Sequence, residues 1–370
     1  MGIKRALSVG INYPGQPHYL RGCVNDSHTI DKMLREKFGF EDVTLLLDND
    51  ATTQRIKEEL VKLVNGSKPG DVLFFHYSGH GTQIIDDKDP DVEPDGLDEV
   101  ICPVDFNWRD KVIRDDDLKA IFDSVPAGVN MTVFLDCCNS GGGVDAANEY
   151  QSDTGEESEA GDPGRFLEPP AEMKAKMDAA KLDLKPRITT RRVDRTLMLI
   201  SGAQAHQTAA DAKINGVYQG ATTYMLQRSL EDLGNSASYK QIADRLNDFM
   251  VEYGFTQRPQ LDGPANLHDR PFLSEYDFGD PNAVTHYELP EEEIIESDPI
   301  TDTSGEIDRP TTNIEIDQSS TVNIGNDEPV VTPKPKKDKD DKDDDKKKKT
   351  MMIAGAVALI GLAIFAFSSS

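Results

Sequence analysis

The segment Asp71–Tyr77 (Asp-Val-Leu-Phe-Phe-His-Tyr) is apolar along nearly its whole length instead of at alternate positions. That is the pattern of a strand buried on both faces, and such strands belong to parallel sheets with helices above and below. The flanking sequence agrees. Ala6–Ile11, Val43–Leu47, Met131–Leu135 and Leu197–Ser201 read as further strands, with Arg270–Leu273 as a last one. Between them lie helical patterns: Ile30, Met33, Leu34 and Phe38 share one face, as do Ile56, Leu60, Leu63 and Val64 behind a Thr52 or Thr53 cap. A short helix holds Leu118–Phe122, and two more cover Ala221–Leu233 and Tyr239–Tyr253. The expectation is an α/β sandwich, a mostly parallel six-stranded sheet with helices on both faces.

Composition is uneven along the 370 residues, and it divides the chain. Residues 1–145 and 195–279 alternate apolar runs with turns, whereas 146–194 and 280–350 are polar and charged, with too little apolar surface to offset chain entropy. One globular domain is therefore expected, interrupted by a flexible linker at 146–194 and followed by a disordered charged spacer at 280–350. The linker carries Lys174, Lys176, Lys181, Lys185, Arg187, Arg191 and Arg192, a natural target for a protease that cuts after basic residues. A formal charge of −27 argues against a nucleic-acid partner, which needs a basic face. Met351–Phe367 carries no charge and follows four lysines. As a helix it would span about 25 Å, close to the ~30 Å hydrocarbon core. It reads as a transmembrane tail anchor, with the lysines and the globular part on the cytoplasmic side. Without a signal peptide pattern at the N-terminus, a lipid-anchor signal is not expected there. The four cysteines, Cys23, Cys102, Cys137 and Cys138, lack a CxxC spacing and read as reduced thiols.

Chemistry concentrates at two strand ends. Met131–Leu135 runs into Asp136-Cys137-Cys138-Asn139-Ser140-Gly141, so a thiol stands at the carboxyl edge of a sheet, where α/β folds bind ligands. The strand before it ends in His76-Tyr77-Ser78-Gly79-His80-Gly81-Thr82. His76, inside the strand, is expected to be structural. His80, between two glycines, can reach a neighbouring thiol, take its proton and later protonate a leaving amine. Backbone N–H groups after Gly79 or around Cys138 are candidates for an oxyanion hole. Such a pair reads as a cysteine hydrolase.

These motifs, with Leu20-Arg-Gly-Cys-Val-Asn-Asp26, Asp95-Gly-Leu-Asp-Glu-Val-Ile-Cys-Pro-Val-Asp105, Ile200-Ser-Gly-Ala and Gln257-Arg-Pro-Gln-Leu, resemble the caspase-like peptidases and within them the metacaspases. The resemblance covers roughly 4–273. It implies a p20-like part at 1–145 and a p10-like part at 195–279. It also implies endopeptidase cleavage after Arg or Lys, calcium activation and processing in the 146–194 linker, by a protein expected to be a monomer. It makes Cys138 the nucleophile and His80 the base. Asp26, Ser78 and Asp136 become the acidic pocket for the P1 cation, which two carboxylates can orient by charge-assisted hydrogen bonds. Asp26 as a helix N-cap is the plainer alternative. Asp105, Asp115, Asp116 and Asp145 match calcium-ligand positions, hard oxygens that suit Ca²⁺, against a plainer reading of Asp115–Asp117 as helix caps. Asp91-Val-Glu93-Pro-Asp95-Gly96 starts like an EF-hand loop, but Cys102 stands where its last ligand, a Glu, belongs. Asn139 and the Ala203–His206 loop depart from the family pattern. A membrane-anchored interaction protein with little proteolysis is the competing function, and retention of both His80 and Cys138 counts against it.

Overall fold

The computed structural model describes residues 2–86, 97–137, 164–183, 197–204 and 207–290. Six strands form the central sheet: β1 (Lys4–Gly10), β2 (Asp42–Leu47), β3 (Val72–Ser78), β7 (Asn130–Asp136), β8 (Leu197–Ser201) and β11 (Gln260–Asp262). Their order is β11-β8-β7-β3-β1-β2, with all neighbours parallel except β11, which runs antiparallel to β8.

Side-chain alternation divides this sheet into two faces. Phe74, Phe134 and Ile200 point to one, where α1 (Cys23–Phe38), α5 (Ala221–Leu233) and α6 (Tyr239–Glu252) cover them with Ile30, Leu34, Met225 and Leu246. Leu73, Phe75, Met131, Val133 and Leu135 point to the other, against Ile56, Leu60 and Leu63 of α2 (Thr53–Val64) and Leu118, Ile121 and Phe122 of α3 (Asp115–Asp123). Every residue of β3 and β7 is buried, as their apolar composition predicts for strands in the middle of a covered sheet.

Several elements depart from the sequence expectation. The sixth strand is β11, not Arg270–Leu273; the latter makes a single bridge, Ser238 to Pro271. Phe272 and Leu273 are apolar because they pack into the core, with Phe272 edge-on to Phe38 and Tyr239. A second sheet of three antiparallel strands, β4 (Gly81–Ile85), β5 (Leu97–Ile101) and β6 (Ile113–Arg114), leaves the main one at His80. The hairpin of β9 (Asp211–Ile214) and β10 (Val217–Gly220) precedes α5. Part of the segment expected as a flexible linker is ordered: 164–167 lies between β4 and the approach to β9, and α4 (Ala171–Asp183) packs against β4. Residues 281–290, expected as the start of the spacer, form a strap on the N-terminal half. Thr285 exchanges backbone hydrogen bonds with Gly66 and Ser67, each 2.9 Å, and Tyr287 N–H donates to Asn65 Oδ1 at 2.7 Å. Among the described residues no helix is long and apolar enough to cross a membrane; the expected anchor at 351–367 lies outside them.

Candidate active site

Parallel strands put their carboxyl ends on one edge, and here that edge carries the chemistry. In register, Ser78 at the end of β3 stands opposite Asp136 at the end of β7. Asp26, in the first turn of α1, points its carboxylate at the same place: Ser78 Oγ donates to its Oδ2 at 2.7 Å, and Gly220 N–H to its Oδ1 at 2.8 Å. The three residues predicted to form the cation pocket are thus brought together. Asp26 is not the cap of α1. Gly22 holds that position, and Asn12 Oδ1 accepts from the Cys23 and Val24 N–H groups.

The pocket holds a cation from the chain itself. Arg165 is fully buried there. Its Nη2 donates to Asp26 Oδ2 at 2.6 Å and to Asp211 Oδ1 at 3.0 Å. Its Nη1 donates to Ser78 Oγ and to the Asp136 carbonyl, both at 2.9 Å, and lies 3.2 Å from Asp136 Oδ2. Asp136 is held in turn by the N–H and hydroxyl of Thr223, both donating to Oδ2. Gly220 forms one wall: a Cβ there would stand 2.1 Å from Asp136 Oδ2 and 2.5 Å from Arg165 Nη1. Burial and the neighbouring Asp136 push the Asp26 carboxyl up, to about 6, against the pull of the guanidinium.

The backbone around Arg165 is bound as an added strand. Arg165 N–H donates to the Ala209 carbonyl, and its own carbonyl accepts from Gly81 N–H, each at 3.0 Å. Beyond it, Leu167 N–H donates to Gly81 O at 3.0 Å and Thr82 Oγ donates to Leu167 O at 2.7 Å. The Arg165–Phe166 peptide bond therefore lies beside His80, with its carbonyl on the N–H of the very next residue. That N–H is one of the group expected after Gly79 for an oxyanion hole; the N–H of His80 itself donates to Tyr13 Oη at 2.9 Å.

His80 is buried, which lowers its pKa to about 4. Its Nε2 lies 2.6 Å from the His18 carbonyl. A carbonyl only accepts, so Nε2 carries the proton and Nδ1 the lone pair. Nδ1 has no partner among the described residues. Two tyrosines hold the His80 backbone: Tyr13 accepts from its N–H, and Tyr77 Oη donates to its carbonyl at 2.8 Å. His76 is structural, as expected: it is buried, bonds Ser8 Oγ at 2.8 Å and stacks on Phe134. Cys137 packs in the core beneath the site, while Cys138 and Asn139 lie outside the described residues.

Of the expected metal ligands, Asp145 lies outside the described residues, as does the Asp91–Asp95 segment. Asp105 is engaged at the start of α2, where Oδ1 accepts from the N–H and hydroxyl of Thr53 at 2.8 and 2.9 Å. Asp115 stands among other acids. Burial and then Glu99, Asp116 and Asp98 push its carboxyl up to about 7. The capping role expected of this trio falls to Asp117, which accepts from Arg114 N–H. Asp98 pairs with Arg114 at 2.6 Å. Among the described residues no three acids, histidines or cysteines stand close enough together to hold an ion.

Sequence reasoning missed Asp211 and Arg165. Each left a signal: Asp211 is the lone acid between residues 195 and 230, and Arg165 precedes an apolar pair, Phe166-Leu167, in an otherwise polar stretch.

Comparison with known proteins agrees with this geometry. Residues 4–147 match the family model of the metacaspase peptidase C14 domain. Metacaspase-1 of Pyricularia oryzae is 34% identical over 286 residues, covering 70% of this chain and 71% of that protein. Metacaspase-7 of Arabidopsis thaliana is 44% identical over 153 residues, covering 40% of this chain, which spans only 37% of that longer relative. A solved structure, protein GSU0716 from Geobacter sulfurreducens, superposes with a TM-score of 0.52 at 26% identity, covering 74% of this chain and 99% of that one. With the histidine and cysteine motifs on adjacent strand ends and a caspase-like sheet beneath them, the chain belongs to the metacaspase family of cysteine-type peptidases.

Proposed function

We propose that the chain is an endopeptidase that cuts after arginine, and less readily after lysine, and that its first substrate is its own Arg165–Phe166 bond. One observation carries this reading: Arg165 sits with its guanidinium among three carboxylates and its carbonyl on Gly81 N–H, the pose of a P1 residue about to be cut. In the reaction, His80 Nδ1 takes the Cys138 thiol proton. The thiolate attacks the Arg165 carbonyl carbon, and Gly81 N–H meets the negative charge that develops on oxygen. Collapse breaks the bond to Phe166, whose amine leaves with the proton from His80. Water, deprotonated by the same imidazole, then releases the Arg165 carboxylate and regenerates the thiol.

Calcium would be held by the acids around Asp115 together with Asp145. A divalent cation would relieve the like charge that raises the Asp115 carboxyl, although Asp98, Glu99, Asp115 and Asp116 do not by themselves make an ion site. Asp105 is less suited, being occupied at the head of α2. Tethering through Met351–Phe367 rests on its uncharged run after Lys346–Lys349, and places the peptidase on a membrane surface facing the cytoplasm. Deleting 351–370 is expected to release the protein from the membrane fraction.

The deciding experiment is incubation of the full chain with and without millimolar calcium, followed by N-terminal sequencing. A fragment beginning at Phe166, absent from Cys138→Ala, is expected. A chain that stays whole like the mutant, and hydrolyses no arginine-terminated reporter, would overturn the proposal in favour of an interaction protein on a peptidase scaffold.

A further inference from the structure

We infer that Asp211 is a specificity-determining residue that reads the far side of a P1 guanidinium and so ranks arginine above lysine. The inference rests on the peptidase reading above.

The two terminal nitrogens of Arg165 are shared out between different partners. Nη1 is taken by Ser78 Oγ and by the carbonyl and carboxylate of Asp136. Nη2 donates to two carboxylates, Asp26 at 2.6 Å and Asp211 at 3.0 Å. A lysine brings one nitrogen to this pocket, not two. That nitrogen would stand near the position of Cζ, about one C–N bond of 1.3 Å short of either Nη. It could pair with Asp26 or Asp136, but standing back from the Nη2 position it would lose the contact with Asp211 that Nη2 makes at 3.0 Å. The planar fork of arginine spans the gap, which is where its advantage over lysine arises in bidentate sites.

Asp211 is built to be in place before a substrate arrives. It is buried, and its carboxylate accepts from Arg21 N–H at 2.7 Å and from Gly22 N–H at 3.0 Å, just ahead of α1. Those donors belong to the fold, not to the ligand. The strand leading into it is fixed as well, because Gln257 Oε1 accepts from Ala210 N–H at 2.8 Å while Gln257 Nε2 donates to Gly202 O and Thr222 Oγ. An acceptor so held loses no freedom on binding and is left with an unfilled side when the P1 residue is lysine.

The test is hydrolysis of matched arginine- and lysine-terminated peptide reporters by the full chain and by Asp211→Asn and Asp211→Glu. The Arg165 segment excludes both reporters from the pocket equally, so the ratio of their kcat/KM values reads the pocket alone. In the parent the arginine reporter is expected to be cut faster. In Asp211→Asn the arginine-to-lysine ratio of kcat/KM should fall by about 10- to 100-fold, the range for losing a hydrogen bond to a charged group. Asp211→Glu keeps the charge but moves the carboxylate; it is expected to shrink the ratio at least threefold, and it decides the matter if Asp211→Asn does not fold. An unchanged ratio in a folded variant, with both reporters slowed alike, would make Asp211 a merely structural residue and overturn the inference. A parent that cuts both reporters equally would also overturn it while leaving the peptidase reading intact. A parent that cuts neither would fail at the earlier step.

Discussion

The pocket around Arg165 and the acidic group around Asp115 are both gatherings of carboxylates, and they are balanced in different ways. In the pocket, Asp26, Asp136 and Asp211 surround a buried guanidinium, and backbone N–H groups of Gly22, Gly220 and Thr223 satisfy further oxygens. Around Asp115, the acids Asp98, Glu99 and Asp116 press on one another, and Arg114 pairs with Asp98. The first group is gathered around a cation the chain supplies, one guanidinium for three carboxylates. In the second, the charges that act most on Asp115 are those of other acids. Both carboxyls are raised, Asp26 to about 6 and Asp115 to about 7, but at Asp26 a guanidinium pulls against burial and at Asp115 the neighbouring charges add to it.

The largest effect is expected at Asp26. Its carboxylate accepts from the Arg165 guanidinium, from Ser78 and from Gly220, so Asp26→Asn leaves a desolvated cation facing an amide. Cleavage of an arginine reporter should fall by about 100-fold or more, the scale for breaking a buried charge pair at an interface. Steady-state kinetics checks it, and a loss below tenfold would mean that Asp26 does not bind P1.

Next comes the cation itself. In a Cys138→Ala background, which keeps the chain whole, Arg165→Met leaves the three carboxylates without their counter-charge. Urea unfolding should show a loss of about 3 kcal/mol, the lower end for removing one partner of a buried ion pair, since water can enter an emptied pocket. A loss under 1 kcal/mol would show that the pocket is as stable empty as filled.

How far this contrast could be read beforehand depended on sequence distance. The strands of the sheet centre were legible because β3 and β7 are apolar on both faces. The edge strand Gln260–Asp262 was not, because half-exposed residues at a sheet margin carry no such pattern, while Phe272 and Leu273 are apolar for a packing reason alone. Asp26, Ser78 and Asp136 could be placed together through their motifs. Asp211 and Arg165 could not: they join the pocket through loops, 185 and 139 residues from Asp26 along the chain, and composition marked the region around Arg165 as linker. Likewise, Thr285 and Tyr287 sit in a polar stretch bound to Asn65–Ser67 by their own backbone groups, by the Asn65 amide and by a Ser67–Thr285 hydroxyl pair, none of which composition records.

The smallest effect, and the sharpest on the comparison, is at Asp115. Without calcium, Asp115→Asn should stabilise the chain by about 1 kcal/mol at neutral pH, after allowance for solvent screening. The sign follows from proton uptake. An ordinary Asp has a pKa of 3.8, and in the folded chain Asp115 is raised to about 7. Between those values the folded state holds a proton that the unfolded state has released, so stability falls as pH rises, and the penalty is complete above about 7. The advantage of Asp115→Asn over the parent should accordingly be near zero around pH 4, grow as pH rises to 7 and stay level beyond. Asp26, His76 and His80 titrate in both proteins and cancel in the difference. Millimolar calcium should then reverse the order at pH 7.5, because the parent gains a bound cation and the variant loses a ligand. Thermal melts of the two Cys138→Ala proteins, with and without calcium from pH 4 to 8, measure all of this. A difference that does not vary with pH would mean that the acids around Asp115 do not repel one another, and the contrast with the pocket would disappear.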